Sequence, residues 1–326
     1  MAAASRPRIK PLLIELLLAT NTVADQGAIN SEPVNPQMNA NARAILKRCS
    51  LIVEGVSRTY YVHVPPTYDG IKALPLVLAF HGGGGKATMM HRVSKLTTTS
   101  DNHSFIVVYP EGVEKHWSDQ RAIRGFDRAG DLGYVSALLN EVERDYKIDA
   151  KRVYSTGISN GGFFSQDLAI AFPERIAAVA SVAASVSVPV YKKVKPPQPV
   201  PILFMLGEND PIVPYKGGDI KLGLVRRGSV VSAEDSVDFW VQANNCTITN
   251  APVELPLAQP NDNTRVTKQT FTGATARNEV VLYSIQNGGH TWPSGWQYLG
   301  ELFIGKTSRS VSANEEIWSF FQRHHL

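Results

Sequence analysis

In the heptapeptide TGISNGG, Thr156 to Gly162, a serine stands between glycines where an apolar run gives way to a helix-like one. A serine hydroxyl is a weak nucleophile until a base takes its proton, and the base must be held in one tautomer by an acid. Gly157-Ile158-Ser159-Asn160-Gly161 fits G-x-S-x-G, in which a sharp strand-to-helix corner lifts the hydroxyl clear of the backbone. The plain alternative is a glycine turn. The two readings part on whether an acid and a base lie in loops that can meet Ser159.

Both are present in order. Asp210 lies in GENDPIVPY, just after the apolar run PILFML, and His290 lies in NGGHTWP, just after EVVLYSI. Serine, acid, histidine is the chain order that goes with a triad built on a G-x-S-x-G corner. The remaining histidines fit less well. His63 falls inside a strand-like run, His91, His103 and His116 precede the serine, and His324 and His325 stand at a frayed-looking terminus. Glu208 and Asp238 are the fallback acids. A tetrahedral intermediate also needs donors for its oxyanion. The N–H of Asn160 is the first, and the glycines of HGGGG, His81 to Gly85, let backbone N–H groups approach as the second. Lys86 raises a phosphate-binding loop as a rival, but the spacing G-x-x-x-x-G-K-[ST] is out of register. His81 itself reads as structural.

These residues need a frame that brings distant loops to one edge. LPLVLAF (74–80) and FIVVYP (105–110) are short and almost purely apolar, as in strands covered on both faces. Two β-rich runs around Glu54-Gly55 predict an opening hairpin. Leu132, Val135, Leu138, Leu139 and Val142 recur at helical spacing and predict a helix over 131–146. RVYST, AAVASVAAS, PILFML and EVVLYSI are further strands, NGGFFSQDLAIAF is a helix ending at Pro173, and NEEIWSFFQRHH is a terminal helix. Ser232 and Asp235 resemble a capping box opening the helix that holds Phe239 and Trp240. Alternating strands and helices predict an α/β fold, a mostly parallel sheet with helices on both faces. Its sites gather at the carboxyl ends of the strands, where the loops after Phe80, Thr156, Leu206 and Ile285 emerge.

Several blocks together resemble one family. LVLAFHGGGG, GDLGYVSALLNEVERDYKIDAKRVYSTGISNGG, GENDPIVPYKGG, FWVQANNC, GGHTWP and EEIWSFFQRH are similar to the secreted polyhydroxybutyrate-depolymerase-like esterases, a group related to feruloyl and acetylxylan esterases. The likeness runs from about Cys49 to the C-terminus. It implies an α/β-hydrolase fold that cleaves carboxylic esters without a cofactor, with Ser159 as nucleophile, Asp210 as acid and His290 as base. HGGGG departs from the family's commoner form, in which a cysteine or bulkier residue often follows His-Gly, so the second oxyanion donor is Gly83 or Gly84. Trp117, Tyr215 and Trp292 sit near these loops and are candidates to line an acyl pocket or stack on an aromatic acid or sugar, with loop packing as the alternative. Trp240 and Trp318 read as core. A serine peptidase of the same fold and a non-catalytic binding protein on the same scaffold are the rival readings.

Composition bounds the rest. The 326 residues are 43% hydrophobic and 19% charged with net charge +4, an ordinary globular balance with no long basic run, so no nucleic-acid partner is expected. The expected partner is a small-molecule or oligomeric ester, with no membrane insertion. Residues 1–44 read as a signal-like leader and flexible lead-in, with Arg6, Arg8 and Lys10 before PLLIELLLAT and Glu15 interrupting the apolar part, which points to a secreted or periplasmic protein. Residues 45–326 read as one catalytic domain. Cys49 and Cys246 are the only cysteines; neither lies in a metal-binding spacing, so no metal is expected, and their pairing is open.

Overall fold

The computed structural model describes residues 46–121 and 127–326, and the leader read over 1–44 lies outside them. Strand β1 (Lys47–Val53) turns back into β2 (Val56–His63) through Glu54 and Gly55, both at positive φ (50° and 80°), which is the backbone of a tight hairpin turn. The continuous apolar runs become β3 (Leu74–Phe80), β4 (Ile106–Pro110), β5 (Ile148–Ile158), β6 (Ala178–Val182) and β7 (Ile202–Gly207). A hairpin, β8 (Gly218–Leu222) and β9 (Val225–Val230), follows; then come the short β10 (Ile248–Thr249) and β11 (Val253–Glu254), and the long β12 (Arg265–Thr272) and β13 (Glu279–Gln286).

The main sheet runs β1-β2-β4-β3-β5-β6-β7-β13-β12-β10, with β11 also on β12. From β4 to β13 the neighbours are parallel; both flanks are antiparallel. The helices are α1 (Ala87–Ser94), α2 (Leu96–His103), α3 (Arg128–Asp145), α4 (Asn160–Ala171), α5 (Val188–Lys193), α6 (Ala233–Ala243), α7 (Glu301–Ile304) and α8 (Ala313–Phe321). Side chains of a strand alternate between faces. Accordingly Leu76, Leu78 and Phe80 of β3 join one core with Leu138 of α3, Phe164 of α4 and Trp240 of α6. Val77 and Ala79 join the other with Met90 of α1 and Trp318 and Phe321 of α8. The fold is therefore a mostly parallel sheet between two helical layers.

The capping box appears as read: Ser232 Oγ accepts the Asp235 N–H at 3.0 Å. The C-terminus is not frayed. His324 is buried, with Nε2 2.8 Å from Glu279 Oε2, and the Leu326 N–H bonds the Lys151 carbonyl, because the tail folds back over α8 and the end of the sheet. Neither Cys49 nor Cys246 forms a disulfide. Burial raises both thiols, Cys246 to about 11, so neither is a ready thiolate. Among the described residues no helix is long and apolar enough to cross a membrane.

Candidate active site

The corner at Ser159 follows from how closely three segments pack. β5 lies between β3 and β6, with Gly157 level with Phe80 and Ser181. A Cβ on Gly157 would lie 2.4 Å from the Gly161 carbonyl carbon, and one on Gly161 would lie 2.2 Å from the Phe80 oxygen. The two glycines of G-x-S-x-G are thus required because the first turn of α4 is pressed onto β5 and the end of β3. Between them Ser159 takes φ 56°, ψ −121°, a sparsely populated conformation for a residue with a side chain. Its backbone is held at both ends: the N–H donates to Val182 O (2.9 Å) and the carbonyl accepts from Phe163 N–H (3.0 Å). Gly161→Ala has only backbone to displace, so we expect it to lose more than about 3 kcal/mol of stability, measurable by denaturant unfolding against the parent chain.

Asp210 and His290 come together at the same carboxyl edge. The loops after β7 and β13 are zipped to each other: Glu208 N–H bonds Ile285 O (3.0 Å) and Asn209 N–H bonds Gly288 O (2.9 Å). Close approach is again the cause, since a Cβ on Gly207 would lie 2.5 Å from the carbonyl oxygens of Gly288 and Gly289. His290 Nδ1 lies 2.7 Å from Asp210 Oδ2, with both side chains buried. The other carboxylate oxygen accepts the N–H groups of Ile212 (2.8 Å) and Val213 (2.9 Å), which fixes its plane. His290 is fastened on the far side by its N–H to Ile304 O (2.6 Å) and by Tyr298 Oη donating to its carbonyl (2.9 Å). An ionised carboxylate can only accept, so the ring carries its proton on Nδ1 and leaves Nε2 as the basic nitrogen. Glu208 and Asp238, the fallback acids, are both exposed.

The oxyanion loop corrects one expectation. Gly84 donates its N–H to Lys115 O (2.9 Å), so it is not available to a substrate oxygen. Gly83 is the glycine beside Asn160: a Cβ there would lie 3.6 Å from the Asn160 Cβ and 3.1 Å from His116 Cδ2. Asn160 is the first residue of α4, where N–H groups point out of the helix end. His81 is structural. Its Nδ1 faces the Gly82 carbonyl (2.8 Å) and its Nε2 accepts Gly112 N–H (3.0 Å), while burial lowers its pKa to about 4.

The aromatic candidates are braces. Trp117 is buried, stacks on Phe164 at 5.1 Å and donates Nε1–H to His81 O (3.2 Å). Trp292 is buried and donates to Asn314 Oδ1 (2.9 Å). Tyr215 is half-buried, with its hydroxyl 2.5 Å from Ser284 Oγ. Of the two readings weighed for these rings, packing of loops against the sheet is the one their contacts fit. Sequence reading named Trp117 but missed Asp119 and Arg121 beside it, in the segment that does reach the site, HWSDQR (116–121). Its signal was an aromatic and three chargeable side chains crowded just beyond β4.

A parallel sheet with helices on both faces, a strained serine at a strand-to-helix corner and a histidine–aspartate pair on later loops define an α/β hydrolase. Residues 58–192 match the family profile for esterase PHB depolymerase. A protein named as an esterase, NocK, from Nocardia uniformis subsp. tsuyamanensis is 29% identical over 280 residues, 83% of this chain and 80% of that one. Feruloyl esterase B of Piromyces equi is 24% identical over 257 residues, 76% of this chain. The chain spans 46% of that relative's length. Acetyl xylan esterase from Aspergillus awamori shares the fold, with TM-score 0.56 and 13% identity over 85% of this chain and 99% of that one. The chain has an α/β-hydrolase fold and is similar to the polyhydroxybutyrate-depolymerase-like and feruloyl-esterase-like esterases, and these likenesses mark it as a serine carboxylic ester hydrolase.

Proposed function

We propose that Ser159, His290 and Asp210 carry the reaction, and that the substrates are soluble or oligomeric carboxylic esters of the hydroxyalkanoate or feruloyl kind. The observation that supports this most is the buried Asp210–His290 pair at 2.7 Å, on loops that leave the same sheet edge as the serine corner. His290 Nε2 takes the hydroxyl proton as Ser159 Oγ attacks the ester carbonyl. Asp210 stabilises the imidazolium that results. The N–H groups of Asn160 and Gly83 hold the oxyanion, and each such donor is worth about 3–4 kcal/mol in comparable sites. His290 then protonates the departing alcohol, and the same nitrogen draws a proton from water to release the acid from Ser159.

The substrate class rests on the relatives, one of them a feruloyl esterase, and on the family profile. A panel of p-nitrophenyl esters, methyl ferulate and hydroxybutyrate oligomers tests it. Turnover of the ferulate or of the oligomers above the short-chain nitrophenyl esters is the expected result; activity confined to the nitrophenyl esters contradicts it. The basic and apolar character of residues 6–20 supports export, and an N-terminal read of the secreted protein would show a start beyond that segment.

A further inference from the structure

We propose that Asp119 is a positioning residue for the oxyanion hole: through the Asn160 side chain it fixes the backbone donor that follows the nucleophile. The inference rests on the site reading above. Asn160 would serve catalysis with its backbone N–H, yet its side chain is fully committed elsewhere. Oδ1 accepts Trp117 N–H at 2.8 Å, and Nδ2 donates to Trp117 O at 2.8 Å and to Asp119 Oδ2 at 2.6 Å. A buried amide that meets a backbone N–H, a carbonyl and a carboxylate has one orientation only.

Asp119 is itself locked. Arg121 Nε–H reaches both of its oxygens (2.9 and 2.8 Å), a second guanidinium nitrogen lies 2.7 Å from Oδ2, and both side chains are buried. The guanidinium sits over the Phe163 ring, 4.5 Å from its centre, one turn along the helix that Asn160 begins. It also donates to Arg227 O at 3.3 Å, which ties the loop to β9.

The same loop meets the other half of the hole. Lys115 O accepts Gly84 N–H (2.9 Å), and the His116 ring packs where a side chain on Gly83 would stand. Ser118 N–H is anchored on Asp131 Oδ2 (2.9 Å), which pairs with Arg58 at 2.8 Å. One short segment, 115–121, therefore touches both donors, and the Asp119–Asn160 bond is the point at which its spacing reaches α4. Oxyanion stabilisation depends on donors placed in advance to a fraction of an ångström. A loosened Asn160 lengthens its hydrogen bond to the transition state and leaves ground-state binding unchanged.

The test compares Asp119→Asn, Asn160→Ala and the double variant on an aryl ester and its matching thionoester, whose sulfur is a poor hydrogen-bond acceptor. Asn160→Ala keeps the backbone donor and removes only the clamp. Because Asp119→Asn leaves Arg121 buried and unpaired, Asp119→Asn/Arg121→Met is made beside it, and thermal melts restrict the comparison to folded variants. Each change should lower kcat on the oxygen ester about 10- to 100-fold with KM within about threefold, and cost much less on the thionoester. The double variant should be no worse than the single ones, since both remove one unit. Unchanged kcat in folded variants, equal losses on the two esters, or additive losses would overturn the proposal. Ser159→Ala runs in parallel: turnover retained there defeats the site reading itself, whereas a silent Ser159→Ala with fully active Asp119 variants defeats this inference alone.

Discussion

Ser159→Ala is expected to lower kcat about 10⁵- to 10⁶-fold on any ester the enzyme accepts, while the melting temperature stays within a few degrees. The size follows from the chemistry, since without the hydroxyl no acyl intermediate forms and only oriented water remains. The small effect on folding follows from the structure. The corner is held by the Ser159 backbone, through Val182 O and Phe163 N–H, and by the glycines on either side, none of which needs the hydroxyl. Alanine also relaxes nothing at φ 56°, because its Cβ meets the same backbone as serine's. Steady-state kinetics with a thermal melt on the same sample checks both halves.

Asp210→Asn should cost about 10⁴-fold in kcat, through the tautomer of His290. The Ile212 and Val213 N–H groups both point at Oδ1, so an asparagine amide oxygen is drawn to that side. Its NH₂ then faces His290 Nδ1, which sits 2.7 Å from Oδ2 in the parent. A donor opposite Nδ1 requires a lone pair there and pushes the ring proton to Nε2, the nitrogen that must accept from Ser159. Geometry is kept and the base is lost. The measurement is kcat with its dependence on hydroxide: activity recovering at high pH, where Ser159 needs less help, is the expected signature, and undiminished neutral activity contradicts the role given to Asp210.

Much of the frame could be read from residues. LPLVLAF became β3 because both its faces are covered, and an apolar run without alternation states that directly. The corner was legible because Gly157 and Gly161 are required by local packing, within five residues of each other. Asp210 and His290 were legible only as positions after apolar strands; the zipping of their loops through Gly207, Gly288 and Gly289 is a tertiary fact. The opening hairpin was read, but the antiparallel flank beyond β13 was not. β12 is mostly polar, with only Val266 and Phe271 apolar among its eight residues, and its short partners β10 and β11 are exposed, so no strong pattern marks them. Helix α2 was missed for a similar reason, with threonines and serines where an apolar stripe would be expected, and α1 because its stripe of Ala87, Met90 and Val93 spans only eight residues. Gly83 and Gly84 could not be told apart in a run of identical residues; one hydrogen bond, from Gly84 to Lys115, separates them. Trp117 and Trp292 look like ligand platforms by type, but burial and their Nε1–H bonds make them braces. Asp119 meets Asn160 from 41 positions away, and spacing along the chain carries no trace of that contact.

The claim on which the rest depends is that an electrophile is captured at residue 159. Reaction of the native enzyme with a fluorophosphonate, followed by peptide mapping, tests it most directly. The account predicts one equivalent on Ser159, complete loss of ester turnover in step with labelling, and no label in Ser159→Ala. Label on another residue, or full turnover by enzyme quantitatively modified at Ser159, would contradict it.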